Sequence, residues 1–375
     1  MNAEQFLKRL LRVNSSNPPG NESYVSELLV ERCEKSGLPY QITELGENRS
    51  NFSIRLKGRD RRELFFCGHM DTVLPGEQKW DYPPFEAEQT GNKLYGRGAS
   101  DMKSGLAAMF LAVESLYLQN EEPPHDIVFL ATAGEEVDSC GARTYLDDHD
   151  LSNTAAMVIG EPTREKVVVG HKGALWVEII TFGKTAHGAM PHRGINAIER
   201  IRDVMAILDE CRLDWKITGA PLGESSLSIN KIEGGMQTNV IPDQCHIYVD
   251  IRTIPPQSHD NIFMELKRKL TDLFKKENDD STFKMETLLN RPGILTESSS
   301  QIIQTAKDIK ATDDDVYGVS YYTDAAVLNP ESKIPTLIYG PGDEQLAHQP
   351  NEYVNIDAYL RSIEYYKRLA LTFEA

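Results

Sequence analysis

The chain has 375 residues, 40% of them hydrophobic, and a formal net charge of −17 at pH 7. These values are ordinary for a soluble globular protein and allow two domains or one large one. A strongly acidic surface repels phosphate backbones and anionic bilayers, so the composition disfavours nucleic acid and membrane as partners. No apolar run approaches the length of a membrane span.

The N-terminal stretch is predicted to be a helix rather than a targeting signal. Phe6, Leu10 and Leu11 recur at helical spacing, and the stretch lacks the apolar core and cleavage site of a signal peptide. The five cysteines are widely spaced without a C-x-x-C pair, which favours reduced, buried thiols over a disulfide or a thiolate metal site. We therefore expect a cytoplasmic protein.

Four short apolar runs end abruptly in glycine and polar residues, a pattern typical of strands covered on both faces in a mostly parallel sheet. The runs are ELFFCGHMD at 63–71, IVFLATAGEE at 127–136, AAMVIGEPT at 155–163 and IPTLIYGPG at 334–342. Helical patterns occupy residues 1–12, 21–36 and 102–119, the last with an apolar stripe formed by Leu106, Met109, Phe110, Val113 and Leu116. This order predicts an α/β domain with a mostly parallel sheet covered by helices.

The middle of the chain has a second pattern. Its strands alternate in polarity or are bounded by turn residues, and two amphipathic helices lie near 194–210 and 259–276. The order β-α-β-β-α-β predicts a small ferredoxin-like α+β domain, a four-stranded antiparallel sheet with two helices on one face. Because a strand of the first kind follows this block, residues 174–290 are expected to form a domain inserted into a larger one made of residues 1–173 and 291–375.

Candidate metal ligands stand where the predicted parallel strands end, and one more stands where a predicted helix begins. They are His69 and Asp71, the pair Glu135 and Glu136, Glu161, His348, and Asp101 before the helix. The carboxyl ends of parallel strands share one edge of an open sheet, so these side chains are expected to meet. Imidazole and carboxylate without thiolate suit zinc, cobalt or manganese better than calcium or magnesium.

So many ligands suit two ions about 3.5 to 4 Å apart, bridged by one carboxylate and a water. The adjacent Glu135 and Glu136 fit such a site, because one can hold an ion while the other acts as a general base. The simpler alternatives are a solvated pair of glutamates and, for His69 taken alone, a packed core histidine. The shared position at strand ends favours the metal site.

Three other motifs of catalytic or nucleotide-binding sites are incomplete or absent in this sequence. GRGASDMKSG at 96–105 begins like a dinucleotide-binding fingerprint, but Asp101 stands at the third glycine position. Met102 stands where a P-loop needs the glycine before its lysine. The sequence contains no G-x-S-x-G of a serine hydrolase.

Seven motifs occur in an order that covers essentially the whole chain. They are GHMDTV (68–73), GRGASDMKSG (96–105), GEEVDSCGA (134–142), GEPT (160–163), GKTAHGAMPHRGINAI (183–198), TNVIPD (238–243) with DIR (250–252), and AHQPNEYV (347–354). The ordered set resembles the zinc-dependent aminoacylase and carboxypeptidase G superfamily, in particular its acetylornithine deacetylase and succinyl-diaminopimelate desuccinylase branch. The resemblance implies a catalytic α/β domain with an inserted lid and dimerisation domain.

Position by position, the resemblance implies two divalent ions, with zinc first and cobalt or manganese as alternatives. His69, Asp101 and Glu161 would hold one ion. Asp101, Glu136 and His348 would hold the other, with Asp101 bridging the two.

The resemblance also implies roles for residues that hold no ion. Glu135 would be the general base and acid, and Asp71 would orient His69. His187 would stabilise the oxyanion, reaching in from the partner subunit of a homodimer formed through the inserted domain. Asn239 and Arg252 would hold polar atoms of the substrate, although a solvated arginine is nearly as good an interpretation of Arg252.

The expected function is that of an amidohydrolase that cleaves a small N-acyl amino acid of the acetylornithine or succinyl-diaminopimelate type. A dipeptidase, a carboxypeptidase or a general aminoacylase with the same site is the nearest alternative. A non-catalytic, metal-stabilised binding protein is an alternative of another class, and the intact Glu135 argues against it because a binding module needs no base.

Overall fold

The computed structural model describes residues 1–276, 280–312 and 315–375. They divide into two compact units. Unit 1 comprises Met1–Gly170, Leu295–Tyr317 and Thr323–Ala375, and unit 2 comprises His171–Ile294 and Gly318–Tyr322. Among these described residues, no helix combines the length and the apolar character needed to cross a membrane.

The described residues form helices and strands that are numbered separately in chain order. The helices are α1 (Ala3–Arg12), α2 (Glu22–Ser36), α3 (Lys103–Leu118), α4 (Cys140–Asp148), α5 (Ala197–Asp214), α6 (His259–Lys276), α7 (Gln301–Lys310), α8 (Ala325–Leu328) and α9 (Ile356–Thr372), with a short 3-10 helix at Pro191–Arg193. The strands are β1 (Gln41–Gly46), β2 (Arg49–Leu56), β3 (Asp60–His69), β4 (Gln89–Thr90), β5 (Lys93–Tyr95), β6 (His125–Thr132), β7 (Thr154–Ile159), β8 (Val168–His171), β9 (Gly173–Phe182), β10 (Ala186–His187), β11 (Thr218–Gly219), β12 (Gly223–Glu224), β13 (Ser226–Gly234), β14 (Val240–Ile241), β15 (Gln244–Thr253), β16 (Thr282–Arg291), β17 (Ile294–Leu295), β18 (Tyr317–Val319), β19 (Thr336–Ile338) and β20 (Tyr353–Asn355).

The main sheet has four parallel strands at its centre, in the order β6-β3-β7-β19. They are the four apolar runs of the sequence, and their cores are buried as continuous apolar runs predict. The expected α/β fold with a largely parallel sheet is confirmed. The sheet continues beyond β6 with the antiparallel pair β2 and β1, for which the apolar pattern gave no indication.

Helix α3 differs from its prediction. The sequence predicted an amphipathic helix with one apolar stripe, whereas every residue from Lys103 to Glu114 is buried. The reason is that α3 packs against α1, α9 and the sheet, so that no wide face remains for solvent. The helix begins at Lys103, so Asp101 lies two residues before it, in the preceding loop.

The close approach of α3 to β7 depends on a glycine. A Cβ at Gly105 would lie 1.8 Å from the carbonyl oxygen of Gly160, and this backbone atom has no freedom to rotate away. We expect Gly105→Ala to lower the free energy of unfolding by about 3 kcal/mol or more, because overpacking forces a backbone shift. Urea denaturation measures this. Ser115→Ala, at a partly exposed position of the same helix, should change the value by less than about 0.5 kcal/mol, and equal effects of the two variants would contradict the contact.

Unit 2 contains an antiparallel sheet in the order β13-β15-β9-β16, with α5 and α6 packed on it. Along β15, buried residues alternate with partly exposed ones, as expected when helices cover one face only. The chain order β9-α5-β13-β15-α6-β16 is the ferredoxin-like arrangement. A partly buried network joins its strand ends, in which His259 Nε2 lies 2.7 Å from Thr253 Oγ1 and His259 Nδ1 lies 2.6 Å from Asn290 Oδ1.

Candidate metal centre

The topology of unit 1 brings histidines and carboxylates to one edge of the sheet. His69 is the last residue of β3, Glu161 lies two residues after β7, and the pair Glu135 and Glu136 follows β6. His348 lies in the loop between β19 and β20. Because the strands that precede these residues are parallel, their ends share an edge, which is where open α/β sheets bind ligands.

These side chains form two groups that share one carboxylate. In the first group, His69 Nε2 lies 3.2 Å from Asp101 Oδ1 and 3.7 Å from Glu161 Oε1. In the second group, His348 Nε2 lies 3.4 Å from Asp101 Oδ2 and 3.2 Å from Glu136 Oε2. The ligand atoms of each group all lie within 4.8 Å of one another, so each group could hold one ion.

Burial and missing hydrogen bonds show that the groups fit metal ions. His69 is 1% exposed and Glu161 is 3% exposed, whereas the side chain of His348 is half exposed. Among the residues that the structure describes, none donates a hydrogen bond to the buried Oε1 atoms of Glu135 and Glu136, which is costly for a carboxylate. Imidazoles and carboxylates crowded at a buried edge form the donor set that zinc, cobalt and manganese prefer.

The pKa values report the same crowding of negative charge. Burial, reinforced by the neighbouring carboxylates, raises the pKa of Glu135 and of Glu161 well above the ordinary value. Burial also acts against the ionisation of Asp101, but hydrogen bonds to His348 and His69 outweigh it, so the pKa of Asp101 lies below its ordinary value. Hydrogen bonds to Asp101 and Glu136 raise the pKa of His348 to about 10. A divalent cation bound here would offset the negative charge of these crowded carboxylates.

Asp71 organises the glutamate pair rather than only its neighbouring histidine. Its Oδ1 accepts the backbone N–H groups of Gly134 and Glu135, both at 3.1 Å, and its Oδ2 accepts that of Glu136 at 3.2 Å. The Nδ1 atom of His69 lies 2.9 Å from the backbone oxygen of Asp71 and 3.6 Å from its carboxylate. The main chain of Asp71 therefore holds the imidazole, while its side chain fixes the loop that carries the two glutamates.

Two further residues of this region, Asn17 and Asp324, lie in no motif that could be recognised from the sequence. Asn17 donates from Nδ2 to Asp71 Oδ2 at 2.9 Å, which ties the N-terminal segment to the same carboxylate. Asp324, 2% exposed, accepts a hydrogen bond from Thr132 Oγ1 at 2.5 Å. Burial is the main cause of the raised pKa values of Glu135 and Glu161, and the charge of Asp324 adds to it. Both residues are distant in sequence from the residues they contact, so only the fold reveals them.

The remaining predicted site residues lie in unit 2. His187 is in β10, which pairs with β14, and the backbone N–H of Gly188 donates to the carbonyl of Asn239 at 2.7 Å. His187 and Asn239 therefore share one ribbon. The backbone N–H of Ala189 donates to His187 Nδ1 at 3.1 Å, so the proton of the neutral ring is on Nε2. Nε2 is thus the donor of this exposed imidazole.

Arg252 has a carboxylate partner within its own strand. Its Nε and Nη2 donate to the two carboxylate oxygens of Asp250 at 2.8 and 3.1 Å. Such a bidentate pair is a strong, directional contact. The pair carries no net charge, so Asp250 would compete with any substrate carboxylate for the guanidinium.

The fold and this arrangement of ligand groups are those of a metal-dependent hydrolase, and the sequence comparisons agree. The model of peptidase family M20/M25/M40 matches residues 65–372, and the chain belongs to this family. A relative named probable succinyl-diaminopimelate desuccinylase, from Staphylococcus aureus (strain MRSA252), is 28% identical over 401 residues, which cover 98% of this chain and 97% of the relative. A relative named acetylornithine deacetylase, from Aliivibrio fischeri (strain ATCC 700601 / ES114), is 31% identical and covers 91% of this chain and 89% of its own length.

Solved structures have the same fold. An M20 family metallo-carboxypeptidase from Sulfolobus solfataricus has a TM-score of 0.77 at 19% identity and covers 99% of both chains. A dinuclear metal binding peptidase of the M20 family from Bacillus subtilis has a TM-score of 0.72 at 17% identity and covers 98% of both chains. The resemblance noted in the sequence is confirmed, and with it the expectation that the chain is an enzyme of this family.

Proposed function

We propose that this chain is a two-metal amidohydrolase that cleaves the amide of a small N-acyl amino acid, of the acetylornithine or succinyl-diaminopimelate type. We base this proposal on the position of Asp101, whose two carboxylate oxygens face different groups. One oxygen faces His69 and Glu161, and the other faces Glu136 and His348. The names of the two relatives support the substrate type, and the dinuclear site named for the Bacillus subtilis structure supports two ions.

The residues of the two groups would hold the ions, with zinc as the first choice and cobalt or manganese as alternatives. When bound, the ions would polarise the scissile carbonyl and lower the pKa of a water molecule. The protein supplies the rigid arrangement. Because His69 ends β3 and Glu161 follows β7, two of the three residues of the first group stand at strand ends of the sheet, which limits their movement.

Glu135 is the proposed general base and acid. Its Oε1 is buried and accepts no hydrogen bond from any described residue, so one oxygen is free to receive a proton. Burial raises the pKa of Glu135, which suits a carboxylate that accepts a proton from the attacking water and returns it to the leaving nitrogen. The hydrogen bonds from Gly134, Glu135 and Glu136 to Asp71 fix the backbone on which this side chain stands.

His187 is the proposed donor to the oxyanion. The contact from Ala189 reserves the proton for Nε2, which is the form an oxyanion donor requires. We further propose a homodimer through unit 2, in which His187 serves the partner's site, while Asn239 and Arg252 hold polar atoms of the substrate. Apolar side chains exposed on unit 2 support such an interface: Ile198, Met205, Ile232 and Met236 are 42%, 36%, 55% and 93% exposed.

A mixing experiment tests the role of His187. We expect His187→Ala to lower turnover by roughly 10² to 10³-fold with little loss of bound metal, because a donor to the oxyanion acts in the transition state. Mixing this variant with Glu135→Gln, after dissociation and reassociation, should restore about a quarter of the wild-type activity, since half of the dimers then contain one intact site. Activity no greater than the sum of the separate variants would contradict a donor from the partner subunit.

A panel of candidate substrates tests the proposed acyl class. Metal-free protein is assayed against N-acetyl and N-succinyl amino acids and dipeptides, with zinc, cobalt or manganese added back. We expect metal-restored hydrolysis of one acyl class. Faster cleavage of dipeptides would instead favour a dipeptidase or carboxypeptidase. Metal binding without hydrolysis of any substrate would favour the non-catalytic alternative.

A further inference from the structure

Glu352 is a buried carboxylate that gathers four donors from one loop. Its side chain is 0% exposed. Oε1 accepts the backbone N–H groups of Ser100 at 2.7 Å and Asp101 at 2.9 Å. Oε2 accepts the backbone N–H of Gly98 at 3.2 Å and Arg97 Nη1 at 2.6 Å. The carboxylate therefore occupies the centre of the loop that presents Asp101.

The same residue belongs to the segment that carries His348. Glu352 lies four residues after His348, and its backbone oxygen accepts the N–H of Gly96 at 2.9 Å. A second contact joins the two segments, because Ser100 Oγ donates to the carbonyl of Asp343 at 2.9 Å and accepts the N–H of Asp343 at 2.6 Å. Residues 96–101 and 343–352 are thus held together at several points.

We propose that Glu352 is a positioning residue that sets the spacing between Asp101 and His348, and thereby the affinity of the second ion. This inference rests on the proposed function, since it takes the group of Asp101, Glu136 and His348 to hold an ion. Glu352 itself lies behind Asp101 and contacts its backbone, not the face where an ion would bind.

The charge of Glu352 is essential to this arrangement. Four converging donors require an acceptor with several lone pairs, and hydrogen bonds to a carboxylate are about twice as strong as those to a neutral acceptor. In Glu352→Gln, the amide NH₂ would face N–H donors, and buried Arg97 would lose its counter-charge.

The effect should be selective for the second ion. His69 and Glu161 are held by β3 and the end of β7, which Glu352 does not contact through any of these bonds. His348 and Asp101 both depend on the joined segments. Loosening them displaces two of the three residues of the second group but only the shared Asp101 of the first, so the second group is disturbed more.

Equilibrium dialysis of metal-free protein against zinc tests the inference. We expect wild type to bind two ions, and Glu352→Gln to bind the first within about threefold of wild-type affinity and the second roughly 10 to 100-fold more weakly. The matched control is Glu114→Gln, which removes another buried carboxylate paired with an arginine, Arg32 at 2.6 Å. The control should lower stability while leaving both zinc affinities unchanged.

Each outcome has a distinct meaning. Two ions bound by Glu352→Gln with wild-type affinities, or an equal loss of both, would overturn the positioning role. Wild-type protein that binds fewer than two ions would instead overturn the proposed function. If the glutamine variant does not fold, Glu352→Asp takes its place, because it keeps the charge but shortens the side chain. The same selective loss is expected from it, and unchanged affinity for the second ion would contradict the inference.

Discussion

Glu135→Gln is expected to abolish hydrolysis while both ions stay bound. Glutamine keeps the shape of the side chain but cannot accept a proton at the working pH, so both proton transfers are lost. General acid–base catalysis contributes about 10² to 10⁴-fold, and we expect turnover to fall by about 10³-fold or more. Steady-state rates and metal content, measured on the same sample, give the result.

The adjacent glutamate is the matched control for this prediction. Glu136 has the same chemistry and lies next to Glu135, but its Oε2 faces His348 and Asp101 within the second group. Glu136→Gln should therefore lower metal content as well as turnover. If Glu135→Gln keeps near-wild-type turnover, the base lies elsewhere. If it loses metal as Glu136→Gln does, Glu135 is a ligand as well and cannot be the uncoordinated base.

Asp101→Ala is expected to remove both ions. Its two oxygens take part in both groups, so a single substitution leaves each group with one histidine and one glutamate. We expect bound metal to fall from two ions to fewer than one per chain at micromolar zinc, and turnover to fall by about 10³-fold or more. Elemental analysis after dialysis provides the count.

An exposed aspartate serves as the control for that count. Asp148→Ala, at the end of α4, removes an exposed carboxylate of the same unit and should leave two ions bound. Two ions retained by Asp101→Ala would contradict the bridging role. One ion retained at full affinity would mean that Asp101 serves a single group.

Much of unit 1 was predictable because a strand buried on both faces appears in the sequence as a continuous apolar run. The four central strands are continuous apolar runs, and the rule that ligands bind at their carboxyl ends led directly to His69, Glu135, Glu136 and Glu161. The antiparallel strands β1 and β2 and the all-round burial of α3 were not predictable in this way. They depend on which elements pack together, and local periodicity does not contain that information.

The contacts that support the site also could not be predicted from the sequence, because they join segments that only the fold brings together. The sequence suggested that the Asp71 carboxylate orients His69, whereas the structure gives it three backbone N–H groups from residues 134–136. Glu352 lies within the motif AHQPNEYV, yet its four donors come from a loop about 250 residues earlier in the chain. A motif identifies such a residue, but its role follows from backbone contacts alone.

We propose that one carboxylate, Asp101, joins two metal positions. Electron paramagnetic resonance of metal-free protein titrated with manganese tests it most directly, because two ions that share a carboxylate are magnetically coupled. We expect two ions to bind each chain and the spectrum at two equivalents to be that of a coupled pair, which Asp101→Ala abolishes. A single bound ion, or two ions with the spectra of isolated manganese, would contradict it.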